Sequence, residues 1–341
     1  MKLPDVFNKY RDVIDADLKE VLTPFDLPLY NMMRYHLGWT DAEGRPTANG
    51  SGKALRPTLC LLACEAGGAP FDRAIPAATA VELVHNFSLI HDDIQDDDSE
   101  RRHRPTVWKI WGKPQAINAG TAMNILANVA LMRSEVRGLT TEQCQSMRSL
   151  LDEATLHLIE GQYLDISFEG RDDVTIEEYL TMIKGKTAAL IACSMELGAL
   201  AGSGDWQSAR KLREFGECLG IAFQVRDDIL GIWGDPGKTG KKQGNDIRQK
   251  KKSLPAVCAL SEGDSKHKAT VATIYGKETV TDDDVGIVLD IMNRMKIQER
   301  VQAVVDDYCG QAGCIIQGAG IDERNTACFE EILHYLTARD Y

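Results

Sequence analysis

Apolar residues recur at three- and four-residue spacing along almost the whole chain, and no stretch alternates for long enough to build a sheet. That periodicity confines the 341 residues to an all-α fold. Gly and Pro punctuate the periodic segments. Pro76 is placed to open a helix running through Val81, Val84 and Leu89 towards an acidic cluster. Further helices are predicted over 118–133, 150–168, 177–200, 210–232 and 327–337. Thr175 before Glu177 and Glu178, and Thr281 before Asp282–Asp284, read as helix starts, with a hydroxyl cap and acids in the first turn. No low-complexity linker or short-period repeat divides the chain, so a single domain over 1–341 is expected.

Charge and cysteine content narrow the function classes. Lys and Arg number 39 against 51 Asp and Glu, a net charge of −12, which gives no overall attraction for nucleic-acid phosphates. The most apolar stretch, 116–132, is interrupted by Asn118, Thr121, Asn124 and Asn128, so no membrane-spanning segment is expected. The first twenty residues lack the apolar core of a secretory signal and the acid-poor character of a transit peptide. Nine cysteines, an odd number, show no paired metal spacing. Cys60 and Cys64, one helical turn apart, read as small buried apolar residues. A reduced, cytoplasmic protein is the expectation.

Two aspartate clusters carry the chemistry. In His85–Asp98 (HNFSLIHDDIQDDD), Asp92 and Asp96 lie one turn apart on one helix face, with Asp93 beside them. Like charges at that spacing oppose the helix by about 0.2–0.5 kcal/mol per pair, so something must compensate. Oxygen ligands without His or Cys suit Mg²⁺, which keeps waters and bridges to phosphates. In Phe223–Gly231 (FQVRDDILG), Gln224 shares a face with Asp227 and Asp228, inside an apolar helix where unpaired carboxylates would be costly. Two such helices facing each other would form a divalent-metal site for a polyphosphate.

Cations flank these clusters. Lys53 and Arg56 lie in GSGKALRP, Arg101 and Arg102 in SERRHRPT, Lys186 in GKTAAL, and Lys241 and Lys251 in the segment 234–255. Each abuts a turn or helix end, where Arg offers planar bidentate recognition of phosphate and Lys a point charge. Singly they are ordinary surface bases; beside two aspartate clusters they are a phosphate-binding set. GDPGKTGK, 234–241, is not a P-loop: its second glycine falls one place late and it follows a helix rather than a strand.

Together these segments resemble the trans-prenyl diphosphate synthases, the polyprenyl synthetase family, over roughly Gly52 to Pro255. The likeness rests on GKALRP, DDIQD followed by RR and PT, GQYLD with Gln162 and Asp165, the pair Lys186–Thr187, and FQVRDD with its NDIR tail. The resemblance implies an isoprenoid-synthase-type helical bundle around a deep central cavity, a homodimer, and three Mg²⁺ ions. It also implies condensation of isopentenyl diphosphate with an allylic diphosphate by ionisation, condensation and elimination. Asp92, Asp93 and Asp96 would hold two ions and Asp227 with Asp228 the third. Arg101, Lys186, Lys241 and Lys251 would bind the allylic diphosphate; Lys53, Arg56, His85 and Arg102 would bind isopentenyl diphosphate. Thr187 and Gln224 would stabilise the allylic cation. His85 also lies seven residues before Asp92, nearly the same side of a helix. His91 reads as structural.

Two positions depart from the pattern: Gly231 stands where many members have a third Asp, and His103 replaces a common Gly. Product length should depend on residues one and two turns below Asp92, about 5.4 Å per turn. Ser88, one turn below, is small enough to let a tail pass, while Phe87 faces away by ideal helix geometry and enters by resemblance alone. The pattern resembles geranylgeranyl diphosphate synthases, with farnesyl or longer products as alternatives. A terpene cyclase on this fold would not need Lys53, Arg56, His85 and Arg102, and a noncatalytic partner subunit would be expected to lose metal aspartates.

Overall fold

Side-chain caps mark the starts of four helices among the described residues, at Thr175, Asp264, Thr281 and Asp322. The computed structural model describes residues 3–47, 52, 54–239 and 242–338. In order come α1 (Asp5–Leu22), α2 (Pro28–His36), α3 (Leu55–Ala66) and α4 (Ile75–Gln95). A minimal hairpin, β1 (Glu100–Arg101) and β2 (Arg104–Pro105), precedes α5 (Val107–Trp111), α6 (Lys113–Met132) and α7 (Thr141–Phe168). Then follow α8 (Ile176–Ile183), a π-helical turn (Lys184–Ala188), α9 (Ala189–Ser203) and α10 (Trp206–Trp233). The chain continues through α11 (Pro236–Thr239), α12 (Asn245–Arg248), α13 (Leu254–Glu262), α14 (Ser265–Tyr275), α15 (Asp282–Arg294), α16 (Ile297–Gln317) and α17 (Glu323–Thr337). The fold is all-α. Thr175 and Thr281 cap α8 and α15, each in a reciprocal capping box closed by Glu178 and Asp284.

The helix predicted over 177–200 is interrupted by the π turn, and the cause is backbone contact. A Cβ on Gly161 of α7 would lie 2.1 Å from Lys186 N, and one on Gly185 would lie 2.7 Å from the His157 carbonyl. Two glycines thus let α7 and the π turn meet without side chains between them, and the widened turn fits that contact.

The chain divides into two compact units: Pro4–Thr155 with Cys193–Arg213, here the N-terminal unit, and Leu156–Ala192 with Glu214–Tyr341 and Met1–Leu3, the C-terminal unit. Apart from the one at Leu3–Pro4, the cuts fall inside α7, α9 and α10 rather than in linkers. The N-terminal unit is built around α4, buried on every side from Ile75 to Val84, as befits a helix apolar all round. Buried Asp17 of α1 accepts hydrogen bonds from Thr79 (2.7 Å) and Arg133 (3.1 and 3.2 Å), tying three segments together. Gly198 and Gly202 of α9 press on the carbonyls of Cys60 and Cys64. Both thiols are fully buried, and burial pushes Cys64 up to about 12, so they pack as apolar groups. The C-terminal unit packs α8, α10 and α13–α16 around Tyr179, Val225, Ile229, Leu254, Val288 and Val301.

Candidate active site

In the N-terminal unit, α4 ends in carboxylates. Asp92 and Asp93 occupy its last turn and Asp96 is its C-cap. This is the negative end of the helix dipole, which disfavours each carboxylate by about 0.3–1 kcal/mol in addition to their mutual repulsion. Arg101 supplies the compensation. Its Nε donates to Asp93 Oδ1 at 2.6 Å and its Nη2 to Asp92 Oδ2 at 3.4 Å. Asp93 is only 1% exposed, and burial lifts its carboxyl to about 6 against the opposing pull of Arg101. Its Oδ2 is buried and takes no hydrogen bond from the described residues.

A strained turn aims the arginines. Arg101 pairs with Arg104 across the hairpin, which leaves Arg102 and His103 as a two-residue loop with φ of 52° and 60°. Left-handed backbone at both loop positions is the geometry that Asn-Gly adopts readily. Here two bulky side chains hold it, at about 1 kcal/mol or more apiece. Arg104 anchors the hairpin by donating to the carbonyls of Tyr35 (3.1 Å) and Thr40 (2.7 Å) and by stacking on the Tyr35 ring. His103, flagged in the sequence for loop shape, thus keeps the conformation a glycine would take.

The same unit gathers Arg56 of α3 and His85 of α4 with Arg102. Burial, then Arg56, Arg102, Arg101 and His36, hold His85 well below the usual imidazole range. His36, at the end of α2, is held at about 3 by burial and then by Arg102 and Arg101. Burial lowers Arg56 to about 10. Buried Glu82, hydrogen-bonded by Asn86 at 3.0 Å, is the counter-charge that acts on both Arg56 and Arg102. The Arg102 guanidinium rests against Gly52, where a Cβ would lie 2.8 Å from Nη2. A cavity of about 430 Å³ opens among His36, Asp93, Arg101 and Arg102. An electropositive recess with neutral histidines is suited to a diphosphate.

In the C-terminal unit, the second carboxylate pair sits near the C-terminal end of α10, in its penultimate turn. Asp228, 5% exposed, is held by neutral donors: the Tyr179 hydroxyl, Leu254 N (2.9 Å) and Gln224 Nε2 (3.2 Å). Burial dominates and raises its carboxyl to about 7. Gln224 in turn accepts from Thr187 Oγ1 at 2.9 Å. Lys186 pairs with Asp165 of α7 at 2.5 Å. All of these except Leu254 line a cavity of about 490 Å³ together with Asp227, Gly231, Asp246 and the exposed Lys251.

Each unit therefore assembles part of the expected set. Asp92, Asp93 and Arg101 are joined, and Arg56, His85 and Arg102 share one electrostatic environment. Lys186, Thr187, Gln224, Asp227, Asp228 and Lys251 share the other cavity. Lys53 and Lys241 lie outside the described residues. Phe87 is 4% exposed and meets the His91 ring edge-on, while Ser88 is half-buried and donates to the His85 carbonyl at 2.7 Å. The His91 ring fills the space a Cβ on Gly120 would take. Sequence reasoning missed Tyr179, Glu82, His36 and Lys252, the last buried and paired with Asp172 at 3.0 Å. The run Lys250–Lys252 marks the region, but only packing decides which lysine turns inward.

Among the described residues no three acidic, His or Cys side chains converge as a ready-made cage. The donor set nonetheless fits Mg²⁺, which binds through one or two carboxylates plus substrate phosphates and keeps its waters. The unmet Asp93 Oδ2 and the all-oxygen character of both clusters agree with that cation.

The Polyprenyl synthetase family model matches residues 39–292. A (2E,6E)-farnesyl diphosphate synthase of Mycobacterium tuberculosis is 39% identical over 331 residues, 96% of this chain and 91% of its own. A geranylgeranyl diphosphate synthase of the same organism is 43% identical over 262 residues, 76% of this chain and 73% of its own. The crystal structure of a polyprenyl synthetase from Streptomyces coelicolor A3(2) superposes with a TM-score of 0.91 at 36% identity, covering 97% of this chain and 98% of that one.

Proposed function

The chain belongs to the polyprenyl synthetase family of prenyltransferases, and from that premise we propose that it condenses isopentenyl diphosphate with an allylic diphosphate in a Mg²⁺-dependent reaction, making geranylgeranyl diphosphate. The observation that carries the reading is the cationic cluster in the N-terminal unit, where Arg56 and Arg102 act on His85 and where Arg101 and Arg102 line a cavity of about 430 Å³. It is a second diphosphate site, which a cyclase ionising a single substrate does not need.

The difficult step is heterolysis of the allylic carbon–oxygen bond. Mg²⁺, when bound by Asp92, Asp93, Asp96, Asp227 and Asp228, supplies positive charge for the departing diphosphate, with three ions as the expected complement. Arg101, Lys186, Lys251 and Lys241 bind the allylic diphosphate and neutralise charge as it develops there. Thr187 Oγ1 and Gln224 Oε1, already aligned by their hydrogen bond, direct oxygen dipoles towards the allylic cation. Lys53, Arg56, His85 and Arg102 hold isopentenyl diphosphate so that its double bond attacks that cation. The new carbon–carbon bond forms, a proton leaves the adjacent carbon, and the released diphosphate accepts it, so no side-chain base is required.

Chain length is read from α4. Small Ser88 one turn below Asp92 leaves room for a growing tail, and buried Phe87 is the bulky residue beside it. The relatives include both farnesyl and geranylgeranyl synthases. The reading treats 1–341 as one catalytic domain, supported by unit boundaries that fall within continuous helices. It also takes the protein to be a cytoplasmic homodimer. Ile117, Ile125 and Val129 on one face of α6 are each about half exposed, and the cysteines are free thiols. No helix among the described residues is long and apolar enough to cross a membrane.

Purified protein incubated with Mg²⁺, isopentenyl diphosphate and each allylic primer, followed by sizing of the products, tests this. A linear C20 diphosphate formed only with isopentenyl diphosphate present is the expected result. A cyclic hydrocarbon formed without it would replace the proposal with a cyclase.

A further inference from the structure

Asp92 and Asp93 meet Arg101 at the end of α4, but His91, one residue earlier, lies against α6. A Cβ built on Gly120 of α6 would stand 2.5 Å from both Cδ2 and Nε2 of the His91 ring. Ordinary contact begins at 3.4 Å, so glycine at 120 is what leaves the ring its place. The ring is fixed there a second time. Its Nε2 donates to the Ile117 carbonyl at 3.3 Å, three residues earlier on α6. One turn of α6 thus supplies both a notch and an acceptor for a single side chain of α4.

That wedge bears on Phe87. Helical side chains lean towards the N-terminus, so His91 lies over the residue four places before it. The two rings meet edge-on, with centroids 5.7 Å apart and planes at 82°. Phe87 is 4% exposed and closely packed, whereas its neighbours Ser88 and Leu89 are only half-buried. The room open to a displaced Phe87 ring is therefore on the side of Ser88.

We infer that Gly120 determines product length as a positioning residue, acting through the His91 ring on Phe87. The inference rests on the synthase reading above, in which α4 sets the tail floor, and deepens it by placing the control of that floor on a second helix. With glycine at 120 the His91 ring sinks into α6, and Phe87 stays packed away from Ser88. With a methyl group there the ring must give by about 1 Å, and it presses Phe87 towards the tail. With no ring at 91, Phe87 falls back into the emptied notch and the floor drops. The two positions therefore act in opposite directions, and a change at one compensates a change at the other.

The test is to size the products of the full-length protein supplied with Mg²⁺, isopentenyl diphosphate and an allylic primer. Gly120→Ala should raise the share of product one isoprene unit shorter than the main one by about tenfold, the least that one methylene of pocket volume discriminates. KM for both diphosphates should stay within about twofold of wild type, since neither site is touched. His91→Ala should shift the products the other way, to longer chains. Gly120→Ala combined with His91→Ala should bring the distribution back to within about threefold of wild type. Circular dichroism and melting identify a variant that fails to fold, and His91→Ala, which only removes atoms, carries the test if Gly120→Ala does so. Unchanged product length in the folded variants, slower turnover alone, or a double variant no nearer wild type than Gly120→Ala overturns the inference and leaves the synthase reading intact. A wild-type protein that makes no product dependent on isopentenyl diphosphate overturns both.

Discussion

α4 and α10 carry the same dipeptide, Asp-Asp, and hold it by opposite means. On α4 the pair sits in the final turn, at the negative end of the dipole, and is steadied by the cation of Arg101. On α10 the buried partner, Asp228, lies five residues before the helix end and is held by a phenol, a backbone N–H and a carboxamide, all neutral. A carboxylate clamped by a guanidinium is pre-neutralised; one held only by neutral donors has no counter-charge beside it, and burial pushes it towards its protonated form. The α10 set therefore has more to gain from an incoming cation, and the α4 set more to lose from removal of one arginine.

The largest expected effect tests whether both sets are required. Asp92→Ala and Asp227→Ala should each reduce turnover by about a thousandfold or more, with helical circular dichroism unchanged. Substantial activity in either would reduce the comparison to a single working cluster. Next, Arg101→Gln should raise KM for the allylic diphosphate on the order of 100-fold, because it leaves partly buried carboxylates uncompensated as well as losing a phosphate contact. Tyr179→Phe, which removes one neutral donor from Asp228, should cost only about 1 kcal/mol, near fivefold in kcat/KM. Equal losses in these two variants would erase the distinction drawn here.

Acid–base behaviour sharpens it further. Asp228 has a folded-state carboxyl raised to about 7, so the native state holds its proton more tightly than the unfolded chain does. In metal-free buffer this group disfavours folding as pH rises from about 4 through 7, by at most about 1.4 kcal/mol per unit. The histidines His36 and His85 act in the opposite sense below the usual imidazole range, so the quantity to measure is the difference between wild type and Asp228→Asn. Denaturant midpoints should show Asp228→Asn gaining on wild type from pH 5 to pH 8; a flat difference would place the carboxyl in the ordinary range. The smallest effect on rate should come from Ser88→Phe, changing turnover only a few-fold while shortening the product. Unchanged chain length would separate the tail floor from α4.

How much of this was legible in the sequence depends on whether the cause is local or distant. The start of α4 at Pro76 and the cap of α15 at Thr281 follow from residues within one turn. The motif residues were legible because their spacing is a helical one. The π turn after Ile183 was not: it depends on Gly161, more than twenty positions earlier in the chain. Tyr179 reads in sequence as one more apolar position of α8, and only packing brings its hydroxyl to Asp228. The left-handed turn at Arg102–His103 runs against local preference altogether, since neither residue favours that backbone. Gly231 could be noticed as a departure, but the Asp246 carboxylate that fills its place comes from α12.

The seam at Gly161 and Gly185 bears on how such a protein can diverge. With main chain touching main chain, no side chain is available there for gradual adjustment, and any methyl added at 161 would strike Lys186 N. Mutation at that end of the molecule is all or nothing. The rung at Ser88 faces no such veto and can be exchanged one residue at a time. On the reading proposed above, in which Ser88 sets the tail floor, a lineage built on this scaffold would be free to drift in the length of what it makes long before it could drift in how the carbon–oxygen bond is broken.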